Sequence, residues 1–265
     1  MIDTHCHLDD VRLDADRQEV LERAWSAGVT GIVVPGVAPE GWEALRTLPE
    51  RDPRIQVALG IHPQALATLP EADDDRHLEQ LEHLLSLGGA VAVGECGLDG
   101  PTAQTVPLER QVKILRRHFE LARRHDLPVL VHCLRVQPAL RQFLTETPLP
   151  QAGVLLHSYS GGPELVEVYT RLGCHFSFAG PLTFPGSNKP ARAAQRVPLD
   201  RLHVETDAPD QSPHPHRGQR NEPGHLPLVL DALAELRGES REELIARTTG
   251  NARRLFRHGF GTGEV

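Results

Sequence analysis

The sequence predicts a single (β/α)8 TIM barrel of the α/β class, with residues 1–265 forming one domain. Three observations carry that prediction. Short runs rich in Val, Ile and Leu alternate with helical patterns along the whole chain. There are eight such runs, the strand number of a closed parallel barrel, with an open doubly wound sheet as the alternative. A chain of 265 residues falls within the size range of one barrel, and no linker-like stretch divides it.

The runs are Ile2–His7, Thr30–Pro35, Ile55–Ile61, Ala90–Glu95, Pro128–His132, Gly153–His157, Cys174–Phe178 and Leu202–Thr206. Apolar runs of this length mark strands covered on both faces, as in a parallel sheet beneath helices. The clearest helix spans Pro107–His125, where Leu108, Val112, Leu115, Phe119 and Ala122 recur at steps of four and three and predict a core-facing stripe. Arg116, Arg117, Arg123 and Arg124 then fall mostly on the wet side. The pattern lasts too few turns for a coiled coil. Asp73, Asp74 and Asp75 read as a solvated helix start, where carboxylates suit the positive end of the helix dipole, rather than as a calcium loop. Towards the C-terminus Leu226, Leu230 and Leu233 share a helix face that Gly238 terminates. Ser240 with Glu243 makes a capping box for the last helix, whose apolar side includes Leu244, Ile245 and Leu255.

Composition excludes several classes. The chain is 39% hydrophobic and 24% charged, and no apolar run approaches the ~18 residues of a membrane span. Four cysteines do not make a disulfide scaffold. The opening "MIDTHCHLDD" has neither a basic segment nor an apolar signal core, so a cytoplasmic location is expected. A net charge of −8 argues against a non-specific polyanion binder. A phosphate-cradling glycine loop, a dinucleotide fingerprint and a nucleophile elbow are all missing, which removes the kinase and serine-hydrolase readings. The unusual figure is 15 histidines, more than the 7 Phe, 2 Trp and 2 Tyr together.

Some of those histidines fall in a pattern. The first run ends in His5-Cys6-His7, and residues i and i+2 of a strand share a face, so both imidazoles point one way and Cys6 the other. Such a pair can chelate a divalent ion, although His-x-His alone is as consistent with chance. Polar residues recur at the ends of other runs: His62 after "VALGI", Glu95 after "VAVG", His132 after "VLV", His157 after "VLL" and Asp207 after "HVET". In a barrel those ends form the mouth where active sites are assembled. Each residue taken singly reads as a hydrogen-bonded polar side chain. As a set, imidazoles and carboxylates on one rim read as metal ligands, because leaving them buried and unpartnered is costly. Cys6, Cys96 and Cys133 directly follow His5, Glu95 and His132, so alternation turns their thiols away from the site as small buried hydrophobes. Cys174 shows no partner.

Six blocks carry a resemblance: "DTHCHLD" at 3–9, "ALGIHP" at 58–63, "VAVGECGLD" at 91–99, "LPVLVHC" at 127–133, "HSYSGG" at 157–162 and "VETDAPD" at 204–210. In this order they resemble the TatD family of metal-dependent, deoxyribonuclease-like hydrolases in the amidohydrolase superfamily, from Ile2 to about Phe256 through "TGNARRLF". The resemblance implies a metal-dependent barrel with two divalent ions (Zn, Mg or Mn). It implies that His5 and His7 hold one ion, His132 and His157 the second, and that Glu95 bridges them. Asp207 would complete the first site and act as general base, while His62 would contact substrate phosphate or support the ligands. The implied reaction is hydrolysis of DNA phosphodiesters, in single strands or at ends, by in-line attack of water on phosphorus. For Asp3 and Asp99 two readings stay open: partners that orient ligand histidines, or turn and cap residues.

The chain also departs from the family pattern. Gly100 stands where an aromatic usually follows "GLD", and the loop "GPTAQTVP" contains none, so a base-stacking surface is absent there or supplied elsewhere. Leu134 occupies the position of a common arginine, and Arg135, one residue later, becomes the candidate substrate contact. Tyr159 and Gly162 replace a Phe and a Ser. These changes bear on the substrate and not on the ligands. With the charge of −8 they keep a small phosphoester, lactone or amide as the alternative substrate, and a barrel that binds without catalysis as a third reading. The stretch 208–225, with His214, His216, Arg217, Arg220 and Asn221, reads as a solvated loop or as a phosphate-binding surface. His77, His83, His118, His125, His175, His203, His225 and His258 read as structural or surface residues, and a monomer is the default.

Overall fold

The structure, a computed structural model, describes residues 1–260. Its strands are β1 Ile2–Asp3, β2 Gly31–Pro35, β3 Ile55–Leu59, β4 Ala90–Asp99, β5 Val129–Leu134, β6 Val154–Leu156, β7 Cys174–Phe178 and β8 Leu202–Val204. They form one eight-stranded sheet in chain order, with parallel pairing, so the fold class is the (β/α)8 barrel that the alternating runs predict. The helices are α1 Arg17–Ser26, α2 Trp42–Arg46, α3 Leu48–Arg51, α4 Asp74–Ser86, α5 Leu108–His125, α6 Gln137–Glu146, α7 Pro163–Arg171, α8 Asn188–Arg196, α9 Leu226–Arg237 and α10 Arg241–Leu255. Among the described residues no helix is long and apolar enough to cross a membrane. By its internal contacts the chain divides into two compact units. The first comprises Met1–Val34, Ser158–Arg171 and His175–Arg254; the second comprises Pro35–His157, Leu172–Cys174 and the described residues from Leu255.

In the second unit β3 and β4 are buried along their whole lengths. The sequence places the end of the fourth strand at Glu95, but β4 continues to Asp99, pairing Cys96–Asp99 with Val131–Leu134 of β5. Gly94 and Gly97 let two strands approach closely. A Cβ on Gly97 would lie 2.0 Å from the His132 carbonyl oxygen, and Gly94, at φ +142°, would clash with the Leu130 carbonyl at 2.7 Å. The register shifts between Val93 and Cys96, so Glu95 sits at an irregularity within a paired strand and not at its end.

Helix α5 has the expected extent, and Leu115, Phe119 and Ala122 of the predicted stripe are buried, but Leu108 and Val112 are not, and the buried face also takes in Gln111, Ile114, His118 and Leu121. A count of apolar residues misses this face because two of its members are polar and fully partnered. Gln111 accepts from the Asp99 amide (2.8 Å) and donates to the carbonyls of Asp99 and Val106 (3.2 and 3.0 Å). His118 Nε2 accepts from the Ile61 amide at 2.9 Å, which leaves its Nδ1–H to donate to the Ile114 carbonyl at 2.8 Å. Asp74 also departs from expectation. It does begin α4, but it is buried and bound by Arg110 Nη2 and Nε, at 2.7 and 3.0 Å. Arg110 further donates to the carbonyls of Leu66 and Leu69, fastening α5 to the segment before α4.

In the first unit β1 is only two residues long, yet the ladder continues past it. Thr4 N donates to Val204 O (3.2 Å), Cys6 N to Val33 O (3.0 Å) and His7 N to Ala208 O (2.8 Å), while Asp207 N donates to His5 O (2.9 Å). These bonds hold the His5–His7 segment extended beside the chain that leaves β8. Gly238 ends α9 in the left-handed region (φ 65°), and the Glu243 amide donates to Ser240 Oγ at 3.1 Å before α10, as the sequence predicts.

Candidate metal centre

In the second unit three imidazoles converge on one carboxylate oxygen. Glu95 Oε1 lies 3.2 Å from His62 Nε2, 3.2 Å from His132 Nδ1 and 2.9 Å from His157 Nε2. Glu95 is 1% exposed, and His62 and His157 are buried beside it. The strands aim these groups inward: Glu95 lies within β4, His132 within β5, and His157 directly follows β6.

The far nitrogens decide what each imidazole can do. His132 Nε2 faces Asp99 Oδ2 at 3.0 Å, so its proton sits there and the Nδ1 lone pair faces Glu95. A carboxylate that fixes the tautomer of a histidine in this way is the usual support of a metal-ligating imidazole. Asp99 is itself held by the Thr102 amide (2.7 Å) and by Gln64 Nε2 (3.1 Å). Burial pushes the Asp99 carboxyl up, but the bonds from His132, Thr102 and Gln64 outweigh it and hold the group below its ordinary value of 3.8. On His132 burial lowers the pKa, while Asp99 and Glu95 raise it to a net upward shift. His62 is arranged oppositely. Its Nδ1 accepts from the Gln64 amide at 3.1 Å, so the proton of the neutral ring is on Nε2, directed at Glu95. In the neutral rings His62 is therefore a donor towards Glu95, whereas His132 keeps its acceptor nitrogen on that side.

In the first unit His5 Nε2 and His7 Nε2 both face Asp207 Oδ1, at 3.7 and 3.6 Å, with the ring centres 5.0 Å apart. Asp207 adopts a left-handed φ of 55°, and its Oδ2 accepts from the Gln211 side-chain amide. Gln211 in turn accepts from Ser158 Oγ at 2.7 Å. Ser158 and Gln211 are left-handed as well (42° and 51°), so strained backbone is concentrated around Asp207. Asp3 binds backbone and hydroxyl, not imidazole: it accepts from the amides of His5 (3.2 Å) and Thr206 (3.0 Å) and from Thr206 Oγ1 (2.5 Å). Burial raises its carboxyl to about 8 against the pull of those bonds. The two open readings thus divide, Asp99 orienting a histidine and Asp3 bracing the chain that carries His5.

Arg135 does not join either group. It follows β5 with a φ of 58°, and its exposed side chain makes no ion pair among the described residues. Glu205, which the run-end pattern does not single out, is fully buried and accepts from the Ser158 amide (2.5 Å), Ser177 Oγ (2.5 Å) and Thr4 Oγ1 (3.4 Å). In the sequence it stands two residues before Asp207 in the block "VETDAPD", with nothing beside it that marks it as buried. Cys96 is buried with Sγ directed to the Leu130 carbonyl, away from Glu95, as alternation requires.

The donors fit a divalent ion. Glu95 and His132 offer a carboxylate oxygen and an imidazole nitrogen 3.2 Å apart, a mixed set that suits zinc and its first-row neighbours, and His62 lies within 4.8 Å of both with its N–H turned to the same place. The family model described as TatD related DNase matches residues 2–257. The chain is 35% identical to the uncharacterized metal-dependent hydrolase YabD of Bacillus subtilis, over 97% of this chain and 99% of that one. It is 31% identical to the 3'-5' ssDNA/RNA exonuclease TatD of Pectobacterium carotovorum, over 97% and 99%. The crystal structure of the TatD homologue YjjV from Escherichia coli superposes with a TM-score of 0.89 at 36% identity, covering 97% of this chain and 98% of that one. Family model, full-length relatives and fold agree, and the chain belongs to the TatD family of metal-dependent hydrolases.

Proposed function

We propose that the protein hydrolyses phosphodiester bonds of single-stranded or terminal DNA. In this reading one divalent ion is held by His5, His7 and Asp207 and another by Glu95, His132 and His157. Bound divalent ions would lower the pKa of water towards ~7 and offset charge on the phosphoryl oxygens. The chain's own groups then have distinct tasks. Asp207, with Oδ2 fixed by Gln211, takes the proton of the attacking water. His62 presents Nε2–H, the proton placed by the Gln64 amide on its other nitrogen, to a phosphate oxygen. Arg135, whose charge no carboxylate neutralises among the described residues, contacts the substrate backbone. Asp99 keeps His132 in the tautomer a ligand needs.

The observation that carries this reading is the convergence of three imidazoles on Glu95 Oε1 with Asp99 behind His132. The choice of DNA is supported by the relative from Pectobacterium carotovorum, which is named a 3'-5' ssDNA/RNA exonuclease. A second reading, a small phosphoester, lactone or amide, is favoured by the net charge of −8 and by the absence of an aromatic in the loop after Gly100. The test is metal analysis of the purified protein, followed by cleavage of 5′- or 3′-labelled single-stranded DNA with Mg²⁺, Mn²⁺ or Zn²⁺ beside a panel of small phosphoesters and lactones. Metal-dependent DNA cleavage supports the proposal; turnover confined to the small substrates replaces it with the second reading.

A further inference from the structure

A cleft of about 470 Å³ in the first unit belongs to neither ligand set. Part of its lining is Phe184, which follows the 3-10 turn Gly180–Thr183 after β7. Another part is the chain that leaves β8, including Asp210 and Gln211. Gln211 is the residue that donates to Asp207 Oδ2, so the cleft begins one hydrogen bond from the proposed base.

Its three arginines are not equivalent. Arg12 grips Asp210 through both terminal nitrogens (2.9 and 2.7 Å) and Asp10 as well, and Arg220 grips both oxygens of Asp16 (2.6 and 2.7 Å). Those charges are neutralised locally. Arg217 has no ion pair or hydrogen bond among the described residues. Its guanidinium lies over the Phe184 ring, 4.6 Å from the centroid, and the side chain is exposed. An arginine resting on an aromatic face and spared by every carboxylate offers a flat cationic surface with free edge donors. Nucleobases stack on such surfaces with little regard to base identity. The volume lies in the range of pockets for small ligands, enough for one nucleotide and not for a duplex.

We propose that this cleft is a nucleobase-binding subsite: one base of a single-stranded nucleic acid stacks on the Phe184–Arg217 pair while its phosphate points towards Asp207. The proposal rests on the phosphodiesterase reading and supplies the stacking surface that the loop after Gly100 lacks.

The test is calorimetric binding of dAMP and of 2-deoxyribose 5-phosphate to the full chain and its variants. The parent binds dAMP about 5- to 150-fold more tightly than the sugar phosphate, the range one stacked base supplies. Phe184→Ala and Arg217→Ala lose that preference, and Phe184→Ala leaves the sugar-phosphate affinity unchanged. Arg217→Lys keeps the charge without the plane and loses most of the preference, whereas Phe184→Tyr retains it. Because Arg217 is exposed, its variants test the subsite even if Phe184→Ala fails to fold. Equal affinity of the parent for both ligands, or a preference that survives Arg217→Ala, overturns the subsite. Cleavage of labelled single-stranded DNA separates the two ideas. A parent that prefers dAMP but never cuts DNA refutes the phosphodiesterase reading alone, and one that cuts DNA without base preference refutes the subsite alone.

Discussion

Replacing Asp99 by Asn removes one charge from a fully buried position and changes no volume, so it isolates the control of His132. Three donors reach the carboxylate: Thr102 N at Oδ1 (2.7 Å), and His132 Nε2 (3.0 Å) and Gln64 Nε2 (3.1 Å) at Oδ2. An amide has one acceptor oxygen, so in Asp99→Asn at least one of these meets an N–H instead. If the oxygen stays with Thr102, the new NH2 faces the His132 proton, and the ring relieves the clash by moving that proton to Nδ1. That shift covers the lone pair now aimed at Glu95 Oε1 (3.2 Å). Loss of such a carboxylate partner weakens metal binding by 10- to 100-fold, about 1.4–2.7 kcal/mol. The assay is titration of the demetallated protein with Zn²⁺ or Mn²⁺ by calorimetry, with thermal unfolding as a check on the fold. Affinity within twofold of the parent, in a variant that remains folded, would refute the tautomer argument.

Three further outcomes follow from the geometry. Asp207→Asn is expected to keep its metal content and to lose turnover by about 10²–10⁴-fold, as measured by initial rates of single-stranded DNA cleavage; full activity would remove Asp207 as the base. Asp74→Ala strands the buried Arg110 guanidinium and should cost about 3–5 kcal/mol in urea unfolding, and a loss below about 1 kcal/mol would show that the pair adds little. His118 is buried and its pKa is lowered by desolvation from 6.5 to about 4, so the fold requires the neutral ring. Its contribution is complete above pH 6.5 and declines as pH falls towards 4, by about 3 kcal/mol in total. Unfolding of the parent and of His118→Gln at pH 7 and pH 4.5 should show that part of the pH dependence missing from the variant.

The fold was readable because a (β/α)8 chain writes its strands as apolar runs, and Cys174–Phe178 was placed to the residue. Boundaries were lost where one residue type serves two purposes. The apolar run stops at Glu95, yet β4 and β5 stay paired for four more positions because Gly97 has no side chain to meet the His132 carbonyl. Gln111 and His118 were invisible to an apolar stripe because burial of a polar group depends on partners that only folding brings near. The same limit applies at the candidate site. Histidines and carboxylates at run ends were visible in the sequence, and the structure gathers His62, Glu95, His132 and His157 around one oxygen. Glu205 was hidden because its donors come from Thr4, Ser158 and Ser177, residues far apart in the chain.

His62 and His132 show why residue type alone does not assign a role. Both stand 3.2 Å from Glu95 Oε1, and their ring centres are 4.4 Å apart. They differ in what occupies the other nitrogen. An amide N–H donates to His62 Nδ1, whereas a carboxylate accepts from His132 Nε2, so in the neutral state one ring turns a proton towards Glu95 and the other its acceptor nitrogen. Gln64 takes part in both arrangements, its backbone amide on His62 and its side chain on Asp99. A single residue outside every motif that marks the family thus touches the supports of two neighbouring imidazoles. Losing the Gln64 side chain should disturb the Asp99–His132 arm and spare the backbone bond to His62, so the two histidines can be perturbed separately.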